Sequence, residues 1–323
     1  MKAVVVTETG PELRDIPRPE PKPGQVLVKV HANALNRADL AMAAGHLHGA
    51  RGGVGAVLGL EWAGEIAALG QGVTGWVPGD RVMGSGGFAE YLSVPVGQVL
   101  RIPDANLSFE EAACYPVALR TMHNAIVTVG AMQPGETVLI QGASSGVGLL
   151  GMQMAKAMGA AAVIGSSTNA DRRARLGDFG ADLAIDTLDP DWVKAVLDFT
   201  GGKGVDLVID QISGALVSPN MRATRILGRI VNVGRLGGMK AEFDADLHAL
   251  RRITYIGVTF RTRSPEEVAA INEAMVADLW PLLTERRFTM PIDSVFELAA
   301  FGDALSRMRA NAHFGKIVLR HQA

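Results

Sequence analysis

Cysteine is nearly absent from this chain: Cys114 is the single one in 323 residues. One thiol forms no internal disulfide and supplies no cysteine-based zinc site, which excludes a disulfide scaffold and predicts a reducing, cytoplasmic setting. An excess of either charge is lacking as well. Lys plus Arg number 31 against 33 Asp plus Glu, a formal net charge of -2, which selects for neither nucleic acid nor an anionic membrane as main partner. No apolar run approaches the roughly 20 residues of a membrane helix. The start, Met1-Lys2-Ala3-Val4-Val5-Val6, is a short β-type run without the apolar core and cleavage site expected of a secretory signal. Glycine, by contrast, is plentiful at 38 residues, so tight turns and close backbone approaches are expected. A composition 48% hydrophobic and 20% charged excludes a disordered chain, and the length suggests two domains.

The first third reads as short strands and turns. Val26-Leu27-Val28-Lys29-Val30 follows a proline-rich stretch over 17–24, where fixed φ angles favour an extended entry. A second strand is expected over 63–69, a third at Arg81-Val82-Met83, and 88–94 alternates at period two, an all-β pattern that predicts a small barrel. Ser108-Phe109-Glu110-Glu111 fits a capping box that opens a helix. From Glu136 the texture alternates: strands at 138–141, 162–165, 183–185, 206–210 and 229–233, with helices over 147–158, 170–178 and 191–199. Repeated β-α-β units predict a parallel, doubly wound sheet. A helix over 265–279 and a last strand, Lys316-Ile317-Val318-Leu319, are expected to rejoin the first domain.

Gln141-Gly142-Ala143-Ser144-Ser145-Gly146-Val147-Gly148 lies between a predicted strand and helix. The strict G-x-G-x-x-G spacing fails, with Ala143 and Ser145 at glycine positions, yet small residues fill every critical place. Such a turn lets backbone N–H groups at a helix N-terminus approach a pyrophosphate; otherwise it is a tight structural turn. The next strand ends in Gly165-Ser166-Ser167-Thr168-Asn169, with no carboxylate until Asp171 and then Arg172-Arg173. Hydroxyls and an arginine suit a 2′-phosphate and favour NADPH over NADH. Helix capping by Thr168 or Asn169, with two solvated arginines, is the alternative.

These residues, with Ala34-Leu35-Asn36-Arg37-Ala38-Asp39-Leu40, Leu58-Gly59-Leu60-Glu61-Trp62-Ala63-Gly64, Pro78-Gly79-Asp80-Arg81-Val82, Gly87-Phe88-Ala89-Glu90-Tyr91 and Gly315-Lys316-Ile317-Val318-Leu319, carry a likeness. Over essentially its whole length the chain resembles the medium-chain dehydrogenase/reductase superfamily in its zinc-free quinone oxidoreductase branch. The Asn-Arg-Ala-Asp-Leu segment looks most like the p53-inducible quinone oxidoreductase subgroup, and enoyl reductases share most of the rest. The resemblance implies an α/β protein: a GroES-like β-barrel catalytic domain (1–121 and 259–323) around a Rossmann NADP-binding domain (122–258), with the active site in the cleft between them. Zinc-dependent relatives carry a cysteine at the place of Asn36, a histidine at Leu60 and a third ligand near Val117; none of the three residues here suits zinc. By the same resemblance Asn36 and Thr121 lie near nicotinamide and substrate, while Ser144, Ser145, Gly146 and Val147 hold the pyrophosphate. Ser166, Thr168 and Arg172 match the 2′-phosphate positions; Gly234, Arg235 and Phe260 flank the cofactor. Plainer roles exist: Asn36 and Asp39 fixing a turn, Thr121 capping a helix, Phe260 in the core.

The expected activity is NADPH-dependent, zinc-independent hydride transfer to a quinone or quinone-like conjugated carbonyl. Reduction of an α,β-unsaturated carbonyl is the alternative, and dinucleotide binding with little turnover a third. One departure stands out. Relatives carry an Arg-x-Gly-x-Tyr stretch where this chain reads Ala43-Ala44-Gly45-His46-Leu47-His48, so Leu47 replaces a phenol that could hydrogen-bond a quinone oxygen. His46 or His48 substitutes for it, or is simply exposed. Met152, Met154 and Met158 read as a core face, Cys114 as a buried inert thiol, and Arg261, Arg263, Arg286 and Arg287 as a surface solvated among Glu266, Glu267 and Glu285. The apolar run 253–259 is predicted as an edge strand that pairs with its symmetry mate in a homodimer.

Overall fold

A computed structural model describes residues 1–103 and 106–322. Contacts divide the chain into two compact units, Met1–Val117 with Phe260–Ala323, and Ala118–Thr259.

Gln25–Ala34 organises the first unit. Its apolar residues Val26, Val28 and Val30 bury against Trp62, Ile66, Val82 and Val94. One edge pairs antiparallel with Trp62–Leu69. The other edge changes partner along its length, from Tyr91–Pro95 opposite Gln25–Lys29 to Lys316–Arg320 opposite Ala32–Ala34. Register shifts between Leu27 and Val28 and between Val30 and Ala32 accompany this change, the device by which a sheet bends towards a barrel. Ile292–Glu297 lies parallel to Lys316–Arg320, and Arg81–Gly84 and Val99–Arg101 complete the seven strands. A second cluster joins both chain ends, packing Val4, Val6 and Phe88 against Leu305, Met308, Ile317 and Leu319. The capping box at Ser108 forms: its N–H donates to Glu111 Oε2 at 2.8 Å and its Oγ accepts from Glu111 N at 3.1 Å.

Six parallel strands make the sheet of the second unit, in the order Leu183–Ile185, Ala162–Ser166, Thr137–Gln141, Val205–Asp210, Thr224–Asn232, Thr254–Gly257. The order runs outward in both directions from the first strand, the doubly wound pattern with a switch point between Thr137–Gln141 and Val205–Asp210. Val138, Leu139 and Ile140 are wholly buried, as a central parallel strand requires. Thr254–Gly257 is one of the two edges, as the apolar run over 253–259 suggested, and Leu183–Ile185 is the other.

Three expected elements come out differently. The alternation over 88–94 yields a strand only at Tyr91–Pro95, because Phe88 is buried and links other segments: its N–H donates to Leu58 O at 2.6 Å and its carbonyl accepts from Val4 N at 2.9 Å. The helix expected over 170–178 is α-helical at Ala170–Ala174 and tightens to 3₁₀ at Leu176–Phe179, a turn that buries Leu176 and Phe179. The helix from Pro265 continues to Thr284, through Pro281. Helices Arg37–Ala43, Val217–Ala223, Ala245–Arg251 and Phe301–Arg309, too short or too mixed in pattern to stand out in the sequence, are also present.

Gly64 sits opposite Val30, where a β-carbon would stand 2.1 Å from the Lys29 carbonyl oxygen. Gly64→Ala is expected to cost about 1–3 kcal/mol through overpacking against backbone, read as a lower denaturant midpoint at unchanged slope.

Candidate functional site

In the second unit the turn after Thr137–Gln141 is built from backbone. Gly142 takes φ +71°, and a β-carbon on Gly148 would lie 2.6 Å from Ala143 Cα and from Gly142 O, so the helix start rests directly on the turn. Ser145 caps helix Gly146–Ala157: its Oγ accepts from Gly148 N at 3.0 Å and donates to Gly142 O at 2.9 Å. The N–H groups of Gly146 and Val147 open that helix and have no intrahelical acceptor. Donors and positive helix end face the same way, which suits an anion. A neutral network holds the turn from below. Ser166 Oγ donates to Gln141 Oε1 at 2.6 Å and accepts from Gly142 N at 3.0 Å; Gln141 Nε2 donates to Asn220 Oδ1 at 2.7 Å; Gln211 Nε2 donates to Gln141 O at 3.0 Å. Asp210 closes the neighbouring strand, its Oδ1 accepting from Ile212 N and Ser213 N at 2.8 Å each, and burial raises its pKa.

The predicted cofactor residues occupy this end of the sheet with different degrees of freedom. Ser144 Oγ accepts from Ser167 Oγ at 3.0 Å. Ser166 is 2% exposed and its hydroxyl is committed to the turn. Thr168 is exposed. Asn169, rather than Thr168, caps the short helix, accepting from Arg172 N at 2.9 Å. Arg173 donates to Ser167 O and Asp186, and Arg172 beside it is half-buried. Gly234 donates to Asp210 O at 3.1 Å and lies flat on Gln211, while Arg235 Nη1 donates to Val233 O at 3.3 Å. Thr121 is half-buried on helix Pro116–His123, just before a π-helical turn at Asn124–Thr128.

In the first unit a buried ionic network surrounds Asn36. Glu61 is 0% and Lys316 3% exposed. Lys316 Nζ donates to Glu61 Oε1, to Asn36 Oδ1 at 3.0 Å and to Leu35 O at 3.3 Å. Asn36 Nδ2 donates to Glu61 Oε1 at 2.8 Å, and Val117 N donates to Glu61 Oε2 at 2.9 Å. Both ends of the Asn36 amide are therefore engaged and its orientation is set. Asp39 accepts from Asn36 N at 2.7 Å, which fixes the turn into helix Arg37–Ala43. Burial, followed by the nearby Glu61 charge, pushes its carboxyl pKa up to about 7 against the pull of that hydrogen bond and of Lys316. Glu61 and Lys316 drew attention in the sequence only as parts of motifs. The signal for their pairing was a lone charge of each sign inside an apolar run, Leu-Gly-Leu-Glu-Trp-Ala and Gly-Lys-Ile-Val-Leu. Among the described residues no group of three or more His, Cys, Asp and Glu is placed to hold a metal.

Phe260 is half-buried under Arg263, whose guanidinium lies 5.6 Å from the ring centroid. Leu47 is 71% exposed. Cys114 is buried with its pKa raised by desolvation, an inert thiol. Arg263 meets Glu267 at 3.6 Å and Arg287 meets Glu285 at 3.9 Å.

Known proteins match along this architecture. Residues 22–104 match the alcohol dehydrogenase GroES-like domain and residues 146–277 the zinc-binding dehydrogenase domain. The human synaptic vesicle membrane protein VAT-1 homolog is 30% identical over 320 residues, covering 93% of this chain and 80% of that protein. A phenolphthiocerol/phthiocerol polyketide synthase of Mycobacterium tuberculosis is 29% identical over 309 residues; the match covers 95% of this chain and spans 14% of the synthase polypeptide. A mycobacterial quinone oxidoreductase superposes with a TM-score of 0.84 at 26% identity, over 99% of each chain. A mycobacterial protein complexed with NADPH superposes with a TM-score of 0.85 at 26% identity, over 99% of this chain and 100% of its own.

The raised Asp39 pKa has a definite sign. Ionising the carboxyl costs more in the folded chain than in the unfolded one, so this contribution to stability is full below pH about 4 and is lost as pH rises through about 7. Asp39→Asn keeps an acceptor for Asn36 N and removes the titration. Its stability relative to the parent should climb from pH 4 to 7 and level off above, in paired denaturation curves; a flat difference would refute the assignment.

Proposed function

The chain belongs to the medium-chain dehydrogenase/reductase superfamily, in its quinone oxidoreductase-like branch, and is an oxidoreductase; on that premise we propose that it reduces a quinone or quinone-like conjugated carbonyl with NADPH and without zinc. The observation that carries this reading is the turn at Gly142–Gly148, packed so closely that a β-carbon on Gly148 would lie 2.6 Å from Ala143 Cα, with the open N–H groups of the helix start above it. The N–H groups of Gly146 and Val147 would hold the pyrophosphate, with Ser144 beside them and Ser145 keeping its capping bonds. Thr168 and Arg172 would take the 2′-phosphate, Ser166 acting by holding the turn. Gly234, Arg235 and Phe260 are the proposed flanking positions. Bound NADPH supplies a hydride; the protein's part is positioning and exclusion of water. Asn36 and Thr121 are proposed to contact nicotinamide and acceptor, with the Asn36 amide aimed by Lys316 and Glu61.

Absence of zinc is supported by the donor set. The amide oxygen at the cysteine position already accepts from an ammonium, and Leu60 and Val117 coordinate nothing. A quinone's own carbonyls take up the negative charge that arrives with hydride, so no Lewis acid is required. A second reading, reduction of an α,β-unsaturated carbonyl, is favoured by the likeness to a stretch within a polyketide synthase. A cytoplasmic setting accords with the single buried thiol.

The test follows oxidation of NADPH, and separately of NADH, by absorbance against an ortho-quinone and a simple conjugated enone, with a chelator throughout. Quinone turnover that is faster with NADPH and indifferent to chelation is expected; turnover of the enone alone moves the protein to the second reading. Arg172→Ala should raise KM for NADPH roughly tenfold or more, the scale of one lost charge-assisted phosphate contact, and leave KM for NADH little changed. Equal effects on both would remove the phosphate role.

Thr254–Gly257 is a partly exposed sheet edge, and we propose that two copies pair along it to form a homodimer. Sedimentation at micromolar concentration should give a dimer; a monomer refutes the pairing.

A further inference from the structure

The short hairpin Leu47–His48 with Arg51–Gly52, which follows helix Arg37–Ala43, carries a guanidinium that no carboxylate answers among the described residues. Its tip lies tight on the chain at Arg261: Gly49 has φ +67°, and a β-carbon there would stand 2.3 Å from the Arg261 carbonyl oxygen. That approach puts His48 in the field of two guanidiniums. Burial first, then Arg261 and Arg51, hold the imidazole's pKa below its usual value. Arg51 is half-buried, and its hydrogen bond is a long one, from Nη2 to Ser85 O at 3.5 Å. Among the described residues no carboxylate lies within ion-pair distance of Arg51, and desolvation alone lowers its pKa. A guanidinium withdrawn from water without a counter-charge is costly, and the usual remedy is a bound oxyanion.

We propose that His48, Arg51 and Arg261 form an oxyanion-binding subsite, and that the acceptor this oxidoreductase reduces carries a carboxylate or phosphate that docks there. The guanidinium fork matches two oxygens of either group. Leu47, 71% exposed on the same hairpin, offers apolar surface to the chain that joins anion and carbonyl. The subsite also adjoins the buried network in sequence and space: Gly86, next to Ser85, donates its N–H to Leu60 O at 3.2 Å, and Leu60 precedes Glu61.

Because the substrate is named from the reductase reading, the test separates the two. With NADPH, the wild type is compared on a conjugated enone ending in a carboxylate, on its methyl ester, and on an enoyl thioester of coenzyme A. At least about tenfold higher kcat/KM is expected for one anionic acceptor over the ester, the scale of one charge-assisted contact. A preference for the acid assigns a carboxylate, and a preference for the thioester assigns phosphate. Arg51→Gln should bring the ratio near one, and Arg51→Lys should keep part of it. A wild-type ratio near one, or a preference that survives Arg51→Gln, overturns the subsite. So does a loss of NADPH affinity in Arg51→Gln at an unchanged ratio, which would give Arg51 to the cofactor. If no acceptor is turned over, the reductase reading fails first, and calorimetric titration with inorganic phosphate and with succinate decides. Binding to the wild type that Arg51→Gln abolishes upholds the subsite; no binding of either anion refutes it.

Discussion

The ion pair between Glu61 and Lys316 is the interaction on which the first unit depends. The two residues lie 255 positions apart and are both buried. A buried pair is weak as a source of stability, but leaving it half-made costs about 3–5 kcal/mol. The last strand must therefore return to the first sheet, and it brings an ammonium to Asn36 and Leu35. Glu61 spends its second oxygen on Val117 N, the point where the first stretch of this unit ends. One pair thus fixes the orientation of an amide, a helix entry and a chain terminus together.

The second unit solves the corresponding problem without charge. Beneath its glycine turn lie Gln141, Gln211, Asn220 and Ser166, joined by neutral hydrogen bonds. Asp210, at the end of the neighbouring strand, has two backbone donors on one oxygen, and burial raises its pKa. Neutral support leaves the field there to the helix end and its open N–H groups. The two units therefore differ in kind: a charged lock around Asn36, and a neutral platform under Gly142–Gly148.

Against these parts, the hairpin after helix Arg37–Ala43 is glycine-rich, two residues to a strand, and bears Leu47, His48 and Arg51. Loops carried on a fixed scaffold change without cost to the core, so differences in substrate between members of one fold gather there. The oxyanion subsite proposed for this hairpin and the reductase reading of the glycine turn concern different atoms, and neither requires the other's geometry.

The strands and helices of the doubly wound sheet, the capping box at Ser108 and the glycine turn were all legible in the sequence, because each is a local pattern with a local cause. Period, small residues at a helix start and a Ser-x-x-Glu spacing act over a few neighbours, and tertiary context had only to agree with them. Phe88 alternates as a strand residue does, but its long-range hydrogen bonds to Leu58 and Val4 hold it outside one. The hydroxyl of Ser166 and the amide of Asn36 are committed by the fold to internal partners. The sequence by itself thus determined the elements and the kind of binding turn. Only the tertiary structure decided which polar groups are already satisfied and that Arg51 meets no carboxylate among the described residues, because hydrogen-bond satisfaction and desolvation depend on residues hundreds of positions apart.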